Sequence, residues 1–238
     1  MSHDLEKIGV WCGIVSAVLI FVALGLCMHF IPPPSPAASA AEIGAFYRAH
    51  SVGILVGGIL MLATSALFIP FYAVLSAHLQ RMEPLGSPLA KAQLMIAALA
   101  LFMPIAITAV LWMVAAYRPE RSNEMIQTLN DIGWFLFFTP VIAGLLQVFV
   151  IAGAIFADPA PNPRFPRWFA FYSIWIGILF LPAGLLPLFK AGLVAWNGLL
   201  AFWLGITAFG IWFVPMAVLL LKACDRGAAA QGVQRSGK

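Results

Sequence analysis

Long apolar runs dominate the pattern along this chain, and short polar or proline-rich segments separate them. Crossing the hydrocarbon core of a bilayer, about 30 Å thick, takes about 20 helical residues at a rise of about 1.5 Å each. Six runs reach that length, which predicts an all-α integral membrane protein built as a six-helix bundle. The predicted spans are residues 8–31, 52–77, 89–117, 132–157, 168–189 and 197–221.

The spans make up one predicted transmembrane domain, residues 8–222, between two short ends. Residues 1–7 form the N-terminus, and residues 223–238, rich in Gly, Ala, Gln and Ser, are predicted to be a disordered tail. With six spans, nine Lys and Arg residues lie on the side of the termini and four on the other side. The positive-inside bias therefore predicts a bacterial-type inner membrane protein with both termini in the cytoplasm.

Two further helices are predicted outside the membrane core. One covers residues 37–50, with Ser35 or Ser39 as its N-cap and apolar residues at helical spacing. The other begins at Ser122 or Asn123 and continues into the fourth span. The fourth helix should therefore extend beyond the bilayer.

The composition excludes a soluble domain, because 63% of the residues are apolar and only 9% are charged. The net charge of +4 is scattered over loops and tails without a basic stripe, so no nucleic-acid partner is expected. The three cysteines lie in or beside apolar runs without CxxC spacing, and we interpret them as small buried apolar residues.

A Phe-x-Pro triplet recurs six times, in or at the end of each span. Proline within a helix removes a backbone donor and clashes with the preceding turn, so most spans should be kinked. The prolines either reflect the general abundance of proline in membrane helices or mark a cavity or gate. The five hinge candidates are Pro70, Pro104, Pro140, Pro182 and Pro215.

Ionisable side chains are missing from the depth of the predicted spans, apart from Lys91 at the start of the third. Proton- and ion-coupled carriers usually keep such a group near the membrane midplane, so this class is disfavoured. A carboxylate-bridged metal centre between helices is disfavoured for the same reason. No metal and no cofactor are predicted.

The side chains that bring polarity into the spans are uncharged. Four of them are placed near mid-membrane, namely Thr64, Ser65, Gln147 and Thr207. They either hydrogen-bond between helices or anchor a ligand in an otherwise apolar pocket.

Histidines supply the remaining candidate chemistry. His29 ends the first span and His50 begins the second, so both should lie near the outer interface, with Glu42 close in sequence to His50. Two histidines and a carboxylate could bind a metal or act as acid and base on a lipid headgroup, although their spacing matches no known signature. His78 stands alone near the other end of the second span, where we expect a satisfied or snorkelling side chain.

The sequence contains no GxSxG, HExxH, GxGxxG or P-loop motif, so no catalytic class is indicated by a motif. Three functional hypotheses remain. The leading hypothesis is a non-catalytic protein that binds a small lipophilic molecule or serves as a membrane subunit of a larger complex. The first alternative is an enzyme that acts on a lipid or isoprenoid-like substrate through His29, Glu42 and His50. The second is a facilitator for a neutral apolar solute. The expected partners are membrane lipids, a lipophilic molecule and a protein within the membrane.

Overall fold

A computed structural model describes residues 3–82 and 86–236, with side chains described up to Gly227 except at residues 86 and 87. Within these ranges all regular structure is helical. The α-helices are α1 (His3–Phe21), α2 (Ala40–Ala49), α3 (Ser51–Gln80), α4 (Gly86–Ala97), α5 (Met103–Tyr117), α6 (Asn123–Phe138), α7 (Val141–Ala157), α8 (Arg167–Gly184) and α9 (Leu204–Ser236).

Short π-helical segments extend or join several of these helices. Val22–Cys27 continues α1, Ala98–Phe102 joins α4 to α5, and Leu199–Trp203 leads into α9. Six helical stretches are long and apolar enough to cross a membrane. The prediction of an all-α, multi-pass membrane protein is thereby confirmed, whereas the inner membrane and the orientation stay predictions. The six stretches are His3–Cys27, Ser51–Gln80, Pro88–Tyr117, Asn123–Ala157, Arg167–Leu188 and Leu199–Gly227.

The spans pack as a closed ring that follows the order of the chain. α1 packs on α3, α3 on α4 and α5, α5 on α6, α7 on α4 and α8, and α9 on both α8 and α1. Close approach of α1 to α3 depends on small residues, because a Cβ atom at Gly13 would lie 2.5 Å from the Phe71 ring. The outer surface carries large apolar side chains that suit contact with lipid, among them Leu26, Ile142, Phe171 and Val214.

The two ends of the bundle are distinct. At the end that we call the termini end, Lys7 of α1 forms an ion pair of 2.8 Å with Asp225 of α9. The opposite end, which we call the distal end, carries α2 and the start of α6, where Arg48 donates a hydrogen bond of 2.8 Å to the Asn123 side chain. The start of the first span and the end of the sixth therefore lie at one end, as an even number of spans requires.

Helix-capping residues predicted from the sequence are confirmed at the distal end. Ser39 caps α2 through a reciprocal box with Glu42, in which each side chain bonds the backbone N–H of the other residue. Ser122 caps α6 by accepting a hydrogen bond from the backbone N–H of Met125. These caps explain why both helices begin beyond the apolar runs.

The hinge candidates occupy three kinds of position. Pro70, Pro182 and Pro215 lie within continuous helices, Pro104 lies in the first turn of α5, and Pro140 lies at the break between α6 and α7. Proline ends α6 because it lacks the N–H that the next helical hydrogen bond needs. Kinking and hinge motion stay predictions.

The final helix does not stop at the predicted domain boundary of residue 222. Its backbone remains helical to Ser236, through a stretch rich in alanine, the best helix former. Side chains after Gly227 lie outside the described part of the chain. The predicted disorder of residues 223–238 stays a prediction.

Candidate functional site

A cavity of about 160 Å³ lies in the middle of the bundle, and residues from all six spans line it. We call it the central cavity. Its wall is almost entirely apolar and rich in aromatic rings. Prominent lining residues are Phe68, Tyr72, Phe138, Phe180, Phe209 and Trp212.

Glycine and proline residues account for much of this space. Gly144 of α7 and Gly205 of α9 line the cavity, and a Cβ atom built on either would meet no other heavy atom within 4 Å. Pro104 and Pro140 also line it, at the positions where α5 begins and α6 ends. An apolar cavity of about 150 Å³ is large enough to bind a molecule such as benzene. The central cavity can therefore hold a compact ring or part of a longer lipophilic molecule.

Gln147 of α7 brings an amide into this apolar wall. The residue is only 4% exposed, and its Nε2 makes no hydrogen bond of normal geometry among the described residues, although the Tyr72 side chain lies beside it in the same wall. An unsatisfied buried donor costs about 1 to 3 kcal/mol, so its retention in a core calls for an explanation. A ligand that accepts a hydrogen bond inside the cavity would satisfy Nε2.

The other polar side chains predicted at depth do not line the central cavity. On α3, Ser65 donates a hydrogen bond of 2.7 Å to the Leu62 carbonyl of its own helix. The Thr64 carbonyl accepts a hydrogen bond of 2.7 Å from Ser16 of α1, which ties the two helices together, whereas the buried Thr64 hydroxyl makes no hydrogen bond among the described residues. Thr207 is exposed on the outer surface of α9. Of the four candidates, Gln147 is therefore the one placed to contact a ligand in this cavity.

A second candidate site lies at the termini end, where Glu6, His78, Arg81 and Cys224 form what we call the ionisable cluster. His78 Nε2 lies 3.2 Å from Glu6 Oε2 and 3.6 Å from Cys224 Sγ. All three ligand atoms lie within 4.8 Å of one another, and all three residues are buried. Glu, His and Cys are each established ligands of zinc.

Two sequence-based expectations are corrected by this cluster. Glu6 lies within α1 instead of outside the first span, because α1 begins at His3. His78 is neither alone nor at the surface, since α1 and α9 both bring polar groups against it and its side chain is fully buried. Cys224 is buried as expected, but it contacts the imidazole instead of serving only as an apolar residue.

Charge in the ionisable cluster is partly balanced by arginine. Arg81 donates a hydrogen bond of 2.9 Å to Glu6 Oε1, and its side chain is 34% exposed, whereas that of Glu6 is 5% exposed. Arg164 lies in the loop between α7 and α8, and its pKa is lowered mainly by burial. The positive charge of Arg81 lowers the pKa of Arg164 further. The carboxylate is therefore held by a guanidinium that reaches the surface.

At the distal end, the structure brings the two predicted histidines together. The ring centroids of His29 and His50 are 4.7 Å apart. His50 Nδ1 lies 2.9 Å from the Phe46 carbonyl, and His29, with a φ of 55°, is exposed at the end of the first span. The pair is an open surface contact, unlike the buried cluster at the other end.

Glu42 takes part in a helix cap instead of joining this histidine pair. Its Oε2 accepts hydrogen bonds of 2.7 Å from both the backbone N–H and the hydroxyl of Ser39. These bonds lower the pKa of the Glu42 carboxyl. Among the described residues, Glu6, His78 and Cys224 lie close enough together to hold one metal ion. His29, Glu42 and His50 do not form such a group.

Sequence spacing gave no signal for the ionisable cluster, since His78 lies 72 residues from Glu6 and 146 from Cys224. The number of spans could have indicated it. With six spans, the start of the first, the end of the second and the end of the sixth lie on the same side of the membrane, and these are the places of Glu6, His78 and Cys224. No family model, curated protein or solved structure matches the chain. Function therefore has to be inferred from the cavity and the cluster themselves.

Proposed function

We propose that this membrane protein binds a small, neutral, mainly apolar molecule in the central cavity. The observation that carries the proposal is the Gln147 amide, which belongs to an apolar wall formed by all six spans and whose Nε2, buried just behind the cavity surface, makes no hydrogen bond among the described residues. A turn of the amide toward the cavity brings Nε2 to a ligand. Ligand sites typically combine such apolar walls with a few polar groups that fix the orientation of the ligand. The ligand supplies a hydrogen-bond acceptor, such as a carbonyl or ether oxygen, to Nε2.

The neutrality of the ligand follows from the wall of the cavity. Its lining residues carry neither a carboxylate nor a basic group, so a charged ligand would have no counter-ion there. An unpaired ion in an apolar environment is far more costly than an unpaired amide. The size of the cavity favours one compact ring or one end of a longer chain.

A route for such a molecule leads from the lipid side of the bundle. An apolar groove of about 610 Å³ lies between the first span and α9. Phe21 and Phe209 line both this groove and the central cavity. A lipophilic molecule dissolved in the bilayer would reach Gln147 by displacing these two rings, without crossing water.

Among the alternatives, catalysis by His29, Glu42 and His50 is less well supported, because the Glu42 carboxylate is engaged in the cap of α2. A membrane subunit or a facilitator remains compatible with a binding cavity. A protein partner would appear in the same experiment as a second polypeptide mass.

The proposal is tested by native mass spectrometry of the full chain, extracted gently from its own membrane. We expect wild type to retain a small lipophilic molecule at one per chain. Gly144→Leu should lose it, because the added side chain occupies the cavity, whereas Gly153→Leu on the exposed face of the same helix should retain it. Equal retention by both variants, or wild type with bulk lipid alone, would contradict the proposal.

Gln147→Leu separates the role of the amide from that of the cavity. The substitution keeps the volume nearly constant and removes the unpaired donor. We expect weaker ligand retention but an unfolding temperature equal to or above that of wild type, since a buried unsatisfied group is gone. A variant that unfolds earlier and keeps its ligand would show that Gln147 has a structural role.

A further inference from the structure

The ionisable cluster brings three different metal-ligating atoms together at one buried place. Glu6 Oε2 and Cys224 Sγ both approach one atom, His78 Nε2, at 3.2 Å and 3.6 Å. Without a metal, Nε2 can donate to Glu6 and the Cys224 thiol can donate to the same carboxylate, so the case for a metal rests on the type, burial and convergence of the three ligands. The other ring nitrogen, Nδ1, has no hydrogen-bond partner within the described residues.

Two of the three separations match those between ligands of one metal ion, and the third, between Glu6 Oε2 and Cys224 Sγ, is within 4.8 Å. Tetrahedral zinc has Zn–N bonds of about 2.0 Å and Zn–S bonds of about 2.3 Å, which separate the N and S ligands by about 3.6 Å. Nitrogen and oxygen ligands on the same ion lie about 3.3 Å apart. The observed separations of 3.6 Å and 3.2 Å agree with both values.

Burial also favours a functional centre over a chance contact. His78 and Cys224 lie at the ends of two apolar spans, and Glu6 lies in the first turns of another. Ionisable groups placed in this way are costly unless they pair or coordinate a metal. Arg81 pairs with Glu6 Oε1 alone, which leaves Oε2 directed at His78.

We propose that Glu6 Oε2, His78 Nε2 and Cys224 Sγ bind one divalent transition-metal ion, with zinc the best match to this ligand set. On binding, the Cys224 thiol releases its proton to solvent, so the thiolate and the carboxylate supply two negative charges against the divalent ion and the Arg81 guanidinium, which is partly exposed to solvent. Arg81 orients the carboxylate by holding its second oxygen. Three protein ligands leave a fourth position for water or an added ligand, as in zinc sites that remain open.

Co²⁺ is the probe for this site, because a thiolate bound to Co²⁺ gives a charge-transfer absorption that carboxylate and imidazole do not. The full chain in lipid nanodiscs is titrated with Co²⁺ and then with Zn²⁺. We expect one Co²⁺ per chain with the thiolate band, and complete displacement by Zn²⁺. No band, or a stoichiometry far from one, would overturn the proposal.

Matched variants assign the band to the cluster. Cys224→Ser and His78→Gln should each weaken Co²⁺ binding at least tenfold, and Cys224→Ser should abolish the thiolate band. Cys12→Ser and His50→Gln change the same residue types elsewhere and should leave titration and band unchanged. A band that survives Cys224→Ser, or disappears with Cys12→Ser, would contradict the assignment.

Alkylation of the wild-type protein tests the site without any variant. Because Cys224 is buried, a maleimide reaches it only through local opening, which denaturant at a concentration below the unfolding transition makes measurable. Bound Zn²⁺ should slow this alkylation of Cys224 at least tenfold while leaving Cys12 and Cys27 as reactive as before. Equal rates for Cys224 with and without Zn²⁺, measured by peptide mass spectrometry, would overturn the proposal. This readout does not depend on the ligand of the central cavity, so the two proposals can fail separately.

Discussion

Histidines come together at both ends of the bundle, yet the two ends differ in almost every other respect. At the termini end, His78 is fully buried, and three spans supply the groups around it. At the distal end, His29 is exposed and contacts His50 across one connection of the chain. The contrast shows that burial and converging partners identify a candidate site better than the presence of two histidines.

The buried interior also differs between the ends. The distal end packs neutral aromatic rings, with centroids of Phe30 and Trp112 4.8 Å apart and of Trp112 and Trp134 4.7 Å apart. Asn130 provides the polar centre there, because its Oδ1 accepts hydrogen bonds from Tyr47 and Trp134. Neutral packing of this kind stabilises a fold even though the buried Trp112 Nε1 makes no hydrogen bond among the described residues, whereas ionisable groups at the other end leave ligand atoms available.

The largest effect should come from removing the counter-ion at the termini end. Arg81→Ala leaves the Glu6 carboxylate buried beside His78, and we expect a loss of about 3 kcal/mol in the free energy of unfolding. The matched change at the distal end is Arg118→Ala, which removes an exposed ion pair with 3.9 Å between Arg118 and Glu120. It should lower the free energy of unfolding by less than about 0.5 kcal/mol. Denaturant unfolding in mild detergent measures both.

If both arginine variants lose the same free energy of unfolding, the two ends of the bundle do not differ in this respect. A small loss for Arg81→Ala would mean that Glu6 is protonated or hydrated in the folded protein. In that case the cluster would hold no fixed carboxylate.

The tightness of the aromatic packing is tested by two glycine substitutions. A Cβ atom at Gly133 would collide with the Trp112 indole, so Gly133→Ala should destabilise the protein by about 1 to 3 kcal/mol. Gly144→Ala, in the central cavity, meets no atom within 4 Å and should be neutral or stabilising by up to about 1 kcal/mol, since alanine favours helix. Thermal unfolding of both variants gives the comparison.

Similar unfolding temperatures for the two alanine variants would show that the distal aromatic rings shift to accept an added methyl group as easily as the cavity wall does. A marked loss for Gly144→Ala would instead show that the central cavity closes in the folded protein.

The smallest effect concerns Glu42 at the distal end. Its hydrogen bonds to Ser39 hold the pKa of the carboxyl below the ordinary value of 4.5. Its contribution to the stability of α2 is therefore fully present above about pH 4.5 and is lost as the pH falls through the lowered value. Ser39→Ala should cost α2 about 1 kcal/mol at pH 7 and less at pH 3, as measured by amide hydrogen exchange.

If Ser39→Ala costs the same at both pH values, the bond from the Ser39 hydroxyl to the Glu42 carboxylate does not contribute to the cap, and the bond from the backbone N–H, which the variant keeps, holds the carboxylate alone. Glu42→Gln tests that remaining contribution in the same exchange measurement.

The sequence predicted the spans and the caps because those features depend on local pattern. Apolar runs of bilayer length and a Ser followed three residues later by Glu act over a few turns of one helix. Thus Ser39 is one of the two caps predicted for α2, which begins at Ala40, and Asn123 is one of the two starts predicted for α6.

The sites could not be predicted in the same way. A membrane helix that is apolar on all faces does not reveal which face points inward, so Gln147 and Thr207 were equivalent in the sequence. Gln147 is buried in the cavity wall, whereas Thr207 is exposed. The contact of His78 with Glu6 and Cys224 depends on the ring order of the helices, which no spacing encodes.

The central claim is that a neutral, apolar molecule binds beside Gln147. An experimental density map of the protein extracted from its own membrane tests it most directly. The account predicts non-protein density in the central cavity, with one atom about 2.7 to 3.2 Å from Gln147 Nε2. A collapsed cavity without such density, in which Nε2 is bonded to protein atoms alone, would contradict it.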